Sequence, residues 1–288
     1  MALQGTMLDG MTPSDTYTHG HHDSVLRSHR WRTAENSAAY LLPFLQPGMS
    51  VLDVGCGPGT ITADLARRVA PGPVLGVDRD AAPLDEAREI AAGLANVRFA
   101  QGDIYALEVD RGSVDVVHAH QVLQHLADPV AALVELRLVC RPGGLVAVRD
   151  VDYATMTWFP LDPLLDRWQE LYQAVARANG GEPNAGRRLL AWAHAAGFDD
   201  VRASASAWCF ATPSERDWWA DLWADRITES RVADQALAEG HATRDELATI
   251  AAAFRRWAVD PDAWWAMTHG EILCTAPATG AADDRGGR

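Results

Sequence analysis

A chain of 288 residues, 48% of them hydrophobic, is long enough for one α/β unit with a substantial insertion and a sizeable core. Its formal charge of −14, from 25 basic and 39 acidic residues, opposes a nucleic-acid partner, and the absence of any lysine excludes an internal-aldimine pyridoxal enzyme, a Schiff-base aldolase and a Walker-A phosphate loop. No apolar run approaches the roughly 20 residues of a membrane span, no secretion leader is visible, and Cys56, Cys140, Cys209 and Cys274 stand too far apart for a zinc or disulfide framework, so a cytoplasmic protein with reduced thiols is expected.

Residues 1 to about 15 read as a polar tail. His19, His21, His22 and His29 follow Tyr17, and then Ala38, Ala39, Leu41, Leu42 and Leu45 recur at helical spacing until Pro47-Gly48, so one or two helices precede the first strand. The histidines have no local acid or cysteine to complete a tetrahedral metal set, and no metal is expected. A lid whose imidazoles reach the active site and a plain solvated surface are the readings left.

Val51 to Val54 is a short apolar run containing Asp53, closed by Gly55, Gly57 and Gly59, with a helical pattern from Thr60. Strand, tight turn and helix follow in that order, and glycines there allow φ > 0 while the N–H groups of the helix start point into the same space. A dinucleotide fingerprint would place its third glycine at Thr60, and Asp53 would repel a pyrophosphate but suits an ammonium group. Val74 to Val77 is the second strand and ends on Asp78, where a carboxylate can accept from two ribose hydroxyls, with Asp80 read as the cap of the next helix. Val97 to Ala100 alternates as a third strand ahead of Asp103 and Ile104. Val114 to His120 is the fourth, continuing through Gln121 and His125 to Asp128-Pro129, an N-cap and first turn for a helix over 130–139. Arg141-Pro142-Gly143-Gly144 then turns into a fifth strand, 145–150.

The stretch 51–60 closely resembles motif I of the class I S-adenosylmethionine-dependent methyltransferases. The segments at Asp103, at His120 and at Arg141 resemble further stretches of that family, nearest to its ubiquinone/menaquinone-biosynthesis group, over about residues 30 to 210. The resemblance implies an α/β fold: a Rossmann-like, seven-stranded, mostly parallel sheet with helices on both faces and an antiparallel last strand. It implies S-adenosylmethionine as cofactor and S-adenosylhomocysteine as product, held by Asp53, Gly55, Cys56, Gly57, Gly59, Asp78, Arg79, Asp103, Ile104, Ala119 and His120. Within that set Asp103 would accept from the adenine amine, with Ile104 against the ring. The alternation of strands and helices independently predicts right-handed crossovers and a ligand at the carboxyl edge of the sheet.

Composition then shifts, with ten of the 11 tryptophans between Trp158 and Trp265. Asp162-Pro163 opens a helix presenting Leu164, Leu165, Trp168, Leu171, Tyr172 and Val175, and a helix ending at Gly197 leads into a sixth strand over 201–210. Thr212-x-x-Glu215 and Thr243-x-x-Glu246 read as capping boxes for two more helices, and 264–275 supplies the last strand. The predicted organisation is an N-terminal tail and lid over 1–46, a cofactor core over 47–155 and 186–212, a helical insertion over 156–185, a tryptophan-rich cap over 213–262, the last core strand over 263–276 and a polar tail over 277–288.

Methyl transfer is an in-line displacement, so the protein aligns donor and acceptor, excludes water and, for a protonated oxygen or nitrogen acceptor, removes a proton. His120, His125 and His22 are the candidate bases. Tyr17, His21, Tyr153, Trp168 and Trp219 are candidates for a pocket that takes a small apolar or aromatic acceptor, with no membrane partner and with a homodimer allowed. Asp150 and Asp152 are acids at the end of strand five without a complete ligand set. The alternatives are a protein of the same fold that holds the cofactor without transferring methyl, as a cyclase or binding module, and a nicotinamide-dependent dehydrogenase, against which Thr60 and Asp53 argue.

Overall fold

The computed structural model describes Thr18 and residues 23–278. Two helices, α1 (Asp23–Arg30) and α2 (Ala34–Ser37), precede β1 (Val51–Val54), and α3 (Thr60–Val69) follows it. The alternation continues with β2 (Val74–Asp78), α4 (Ala82–Ile90), β3 (Val97–Gln101), β4 (Val114–His120), α5 (Pro129–Val139) and β5 (Cys140–Val151). These five strands stand in the order β3-β2-β1-β4-β5, every neighbouring pair parallel. β1 is buried along its whole length because helices cover both faces of the sheet.

The second half of the chain returns to the same sheet. After β6 (Thr157–Phe159), α6 (Pro163–Ala178) and α7 (Leu189–Ala195), β7 (Val201–Phe210) leads to α8 (Pro213–Glu229), α9 (Arg231–Ala238), α10 (Arg244–Ala258) and finally β8 (Trp264–Thr275). β8 runs antiparallel between β5 and β7, and β6 pairs with its first residues where β5 has ended. The sheet therefore has eight strands, one more than the sequence pattern predicts. The extra one, β6, is three residues long, too short for an alternation to register.

Local chemistry sets most helix starts. Asp128 accepts from the Ala131 N–H ahead of Pro129, Asp162 accepts from the Leu164 N–H ahead of Pro163, and Thr212 and Glu215 cap reciprocally. Two expected caps differ. Thr243 accepts from the Glu246 N–H, but the Glu246 carboxylate is drawn to Arg167 at 2.8 Å and does not return to close a box. Asp80 does not cap α4, whose N-cap position is Ala81; its own N–H donates to Asp78 instead.

Three apolar layers result. α5 and α7 cover one face of the sheet, α2 and α3 the other, and α6, α8, α9 and α10 enclose a third core against β6, β7 and β8. That third core corrects an expectation. Trp168, Trp219 and Tyr153 are packed inside it, 0%, 4% and 2% exposed, and do not form a wall for an acceptor. The reason is that each faces a packed neighbour inside that core: Trp219 of α8 stacks 4.4 Å from Phe210 of β7, Trp168 of α6 meets Trp223 of α8 edge-on, and Tyr153, in the turn after β5, stacks 4.0 Å from Tyr172 of α6. Replacing Trp219 with phenylalanine is accordingly expected to lower unfolding free energy by about 1–2 kcal/mol while leaving cofactor affinity unchanged, as urea unfolding and calorimetry would read.

Candidate active site

A cleft open at its mouth lies along the carboxyl edge of β1, β2 and β4. Its floor is the loop Gly55–Pro58 with Thr60 and Ile61. Asp78, Arg79, Asp80, Asp103 and Ile104 form one side, and His120, Gln121, Val122, His125 and Leu126 the other. His29 and Arg32 come over it from the N-terminal segment. That segment is tied down on both flanks: Arg226 donates to the Ser24 carbonyl at 3.0 Å, Arg30 pairs with Glu86 on α4, and Thr60 donates to the His29 carbonyl at 3.3 Å. It forms a strap from the helical cap to the cofactor half.

The loop is shaped by positive backbone angles at Gly55, Gly57 and Gly59. At Gly57, with φ +53°, an added Cβ would meet only the His29 Nδ1 at 3.5 Å, so the backbone there is open to the cavity. Gly59 does not line the cavity, contrary to the sequence expectation. A Cβ on it would come within 2.8 Å of the Ala87 Cβ and 3.0 Å of Phe99, so its role is to let α3 start close against α4 and β3. Ala119 likewise stays out of the cavity lining, because its side chain points to the opposite face, toward α5. Cys56 lines the cavity with its thiol pushed up, first by burial and then by Asp53 and Asp78, and is an inert neutral group there.

Asp78 accepts from the Gly57 N–H at 2.8 Å and the Asp80 N–H at 3.0 Å, so one carboxylate orders both the glycine loop and the turn after β2. Asp103 accepts from the Tyr105 N–H at 2.9 Å and shares the cavity wall with Ile104. Asp53 is 3% exposed, and both its oxygens are already engaged, one by the Thr62 hydroxyl and one by His118 Nδ1 at 2.7 Å. It braces the strand to the helix and the neighbouring strand while also lining the cavity, so any ammonium group there would meet a carboxylate already shared with Thr62 and His118. His118, two residues before His120, carries no local signal of this role in the sequence; its pairing across β1 and β4 is a matter of register.

The expected bases are also redefined by their surroundings. His120 is 5% exposed and its protonation is pushed well below the usual imidazole range, first by burial and then by the charges of Arg32 and Arg149. His125 is brought to about 3 by burial and Arg32. Both are neutral at pH 7 and weak proton acceptors. His22, His21 and Tyr17 lie outside the described residues. Asp152 is held by the Arg187 guanidinium and Asp150 is wholly buried, and among the described residues no group of His, Cys, Asp and Glu could hold a metal ion.

Gln121 is a cavity residue that no spacing in the sequence announces. Its φ of +54° places a non-glycine residue in the left-handed region, held there by an N–H bond to the Arg149 carbonyl at 2.7 Å. Its side chain links the strap to the sheet. Arg32 can only donate, so it fixes Oε1 on its side at 2.7 Å and leaves Nε2 to donate to His269 Nε2 at 2.8 Å.

Comparison with known proteins bears on this cavity. Residues 45–220 match the family model described as a methyltransferase domain. A methyltransferase of Schizosaccharomyces pombe is 36% identical over 89% of this chain and 95% of its own. The trans-aconitate 2-methyltransferase of Deinococcus radiodurans is 40% identical over 42% of this chain and 46% of its own. Among solved structures, a Haemonchus contortus phosphoethanolamine N-methyltransferase in complex with S-adenosylhomocysteine matches with a TM-score of 0.53 and 18% identity, covering 83% of this chain and 52% of that one. Among the described residues no helix is long and apolar enough to cross a membrane.

Proposed function

The chain belongs to the methyltransferase domain family and is an S-adenosylmethionine-dependent methyltransferase; on that premise we propose that its cavity holds the cofactor along the Gly55–Pro58 loop and presents the methyl group to a small acceptor between His120, Gln121 and the strap carrying Arg32. The single observation that supports this assignment is the division of one cavity into two chemistries. Asp78, Asp80 and Asp103 stand at the ends of β2 and β3, where hydroxyl and amine donors of a nucleoside would be received. His29, Arg32, His120, Gln121 and His125 stand opposite.

The residues fit the cofactor on their own geometry, because the Gly57 backbone is open where any Cβ would intrude and Asp78 orders that loop from beneath. When bound, S-adenosylmethionine supplies a methyl group activated by its sulfonium. Asp78 would take the ribose hydroxyls, Asp103 the adenine amine, and Ile104 one face of the ring. The strap and Val122 would exclude water from the reacting end, where positioning is worth about 7–11 kcal/mol in favourable cases. Strand β7 supports the segment behind the strap, where the Trp208 indole N–H donates to the Asn36 carbonyl at 2.7 Å.

Mass spectrometry of acceptor libraries incubated with the enzyme and S-adenosylmethionine tests the proposal, the expected result being a product one methyl group heavier with S-adenosylhomocysteine released in equal amount. Tight cofactor binding with no methylated product across carboxylic acids, phenols and amines would favour the non-methylating reading instead.

A further inference from the structure

On the sheet face covered by α2 and α3, five side chains, those of Tyr40, His118, His120, Arg149 and His269, leave buried polar atoms with no hydrogen-bond partner among the described residues, and three of them come from separate segments that meet at one point. In those three the atoms are Nη1 and Nη2 of Arg149, the hydroxyl of Tyr40 and both ring nitrogens of His120. Arg149 is 1% exposed and His120 5%. They are close together: Arg149 lies opposite His120 in the β4–β5 register, its guanidinium carbon is 4.9 Å from the Trp208 ring centre, and the His120 ring is 5.8 Å from the same ring. Tyr40, its hydroxyl pushed up mainly by burial, is near enough for the charges of Arg149, Glu271 and Asp150 to act on it.

Arg149 is aimed by its other edge. Its Nε donates to Glu271 at 3.2 Å and to Ser206 at 3.1 Å, and Glu271 is further engaged by the Ser204 hydroxyl at 2.7 Å. The two terminal nitrogens are thus fixed in place and unmatched. The Glu271 carboxylate and the Trp208 face meet the guanidinium charge, but neither supplies an acceptor to its two terminal nitrogens, and a buried N–H without an acceptor is costly. Guanidinium and phenol donors crowded together, with a cation already desolvated, are the complement of an anionic oxygen group. Of the three only His120 lines the cavity, at its acceptor end, and Arg149 and Tyr40 stand behind it.

We propose that Arg149, Tyr40 and His120 receive a carboxylate of the acceptor, and that this carboxylate is the group methylated, giving a methyl ester; the proposal rests on the methyl-transfer reading of the cavity. A carboxylate oxygen forms the new carbon–oxygen bond as the methyl carbon–sulfur bond breaks, and the bonding pair stays on sulfur. The acceptor loses its negative charge, the sulfonium loses its positive one, and no proton changes hands. A site of this kind needs no general base, which agrees with a wall whose two imidazoles are held neutral and weakly basic beside Arg32. Annihilation of opposite charges is also favoured by a dry site, since neither charge is well solvated beforehand.

Calorimetry on the full chain saturated with S-adenosylhomocysteine tests the proposal, with benzoate and citrate as probes and benzamide as the neutral counterpart of the first. A carboxylate is expected to bind at least about tenfold more tightly than the amide. Arg149→Gln is expected to weaken carboxylate binding about tenfold or more and Tyr40→Phe severalfold, each with S-adenosylhomocysteine affinity retained. Should Arg149→Gln fail to fold, Tyr40→Phe carries the test alone, because it deletes one oxygen and keeps the ring. Equal affinity for acid and amide, or carboxylate binding untouched in both variants, overturns the proposal while cofactor binding stands. Failure of S-adenosylhomocysteine itself to bind would overturn the underlying reading of the cavity. With turnover, the product of a carboxylate acceptor should be cleaved by mild alkali, as an ester is and a methyl ether or amine is not.

Discussion

Replacing Asp78 with alanine is expected to weaken S-adenosylhomocysteine binding by roughly 10²–10³-fold with little loss of folding stability. Two effects combine. Hydrogen bonds to a charged group are worth about 1.5–3 kcal/mol each, and two ribose hydroxyls would be left without their acceptor. The Gly57 and Asp80 N–H groups would also lose the oxygens that order the loop, at 2.8 and 3.0 Å, so the cradle would have to be assembled at the moment of binding. Asp78 sits at the solvent-facing end of β2 and fills no apolar core, which is why the fold should survive. Asparagine at the same position keeps one acceptor oxygen and should fall between the two, about tenfold weaker than wild type. Titration calorimetry reads all three proteins, and an alanine variant within threefold of wild type would remove Asp78 from the cofactor site.

That residue was legible in the sequence because the information is local. An apolar run, a turn and an acid at the end of a strand lie within a dozen residues, and period-two and period-3.6 patterns place them on the sheet edge without knowledge of the rest. The same holds for Asp103, for the Asp128-Pro129 and Asp162-Pro163 helix starts, and for the two late strands 201–210 and 264–275. Residues whose meaning depends on partners far along the chain were not legible. Arg149 reads in the sequence as one polar residue inside a strand, yet its environment is made by Tyr40, His120, Ser206 and Glu271, brought together only by register and by the turn that follows α2. Gln121 gives no signal either, since its backbone angle is imposed by the end of β4. The tryptophans carried the opposite error. Their number suggested a ligand wall, but aromatic residues at helical spacing satisfy one another, and four helices were available to bury them.

The buried imidazoles beside Arg32 and Arg149 also set how the protein responds to acid. His120 and His269 are pushed well below the ordinary imidazole range, burial first and the Arg32 and Arg149 charges next, and His125 is brought to about 3 by burial and Arg32. In the unfolded chain all three would take up protons below about pH 6.5, and in the folded chain they do not. Their contribution to stability is therefore present above that pH and is lost as pH falls through it. Asp150 works in the other direction. Burial raises it to about 7, so the folded protein holds a proton that the unfolded chain releases, and the stability this gives is present at low pH and is lost as pH rises through 7. Between pH 5 and 6 the unfolded state holds up to three extra imidazole protons against one extra carboxyl proton in the folded state. His125 keeps some access to the cavity and contributes least of the three. A net one to two protons at about 1.36 kcal/mol each corresponds to a loss of about 1.4–2.7 kcal/mol for every pH unit below 6. Urea unfolding at half-unit steps should show a plateau from about pH 7 to 8 and a steep decline under pH 6. Asp150→Asn should steepen the decline by about one proton and raise stability at pH 8, because the cost of ionising a buried carboxyl has gone. A stability curve flat from pH 5 to 7 would mean that the imidazoles titrate normally in the folded protein, and with that the cationic, proton-poor acceptor wall would have to be abandoned.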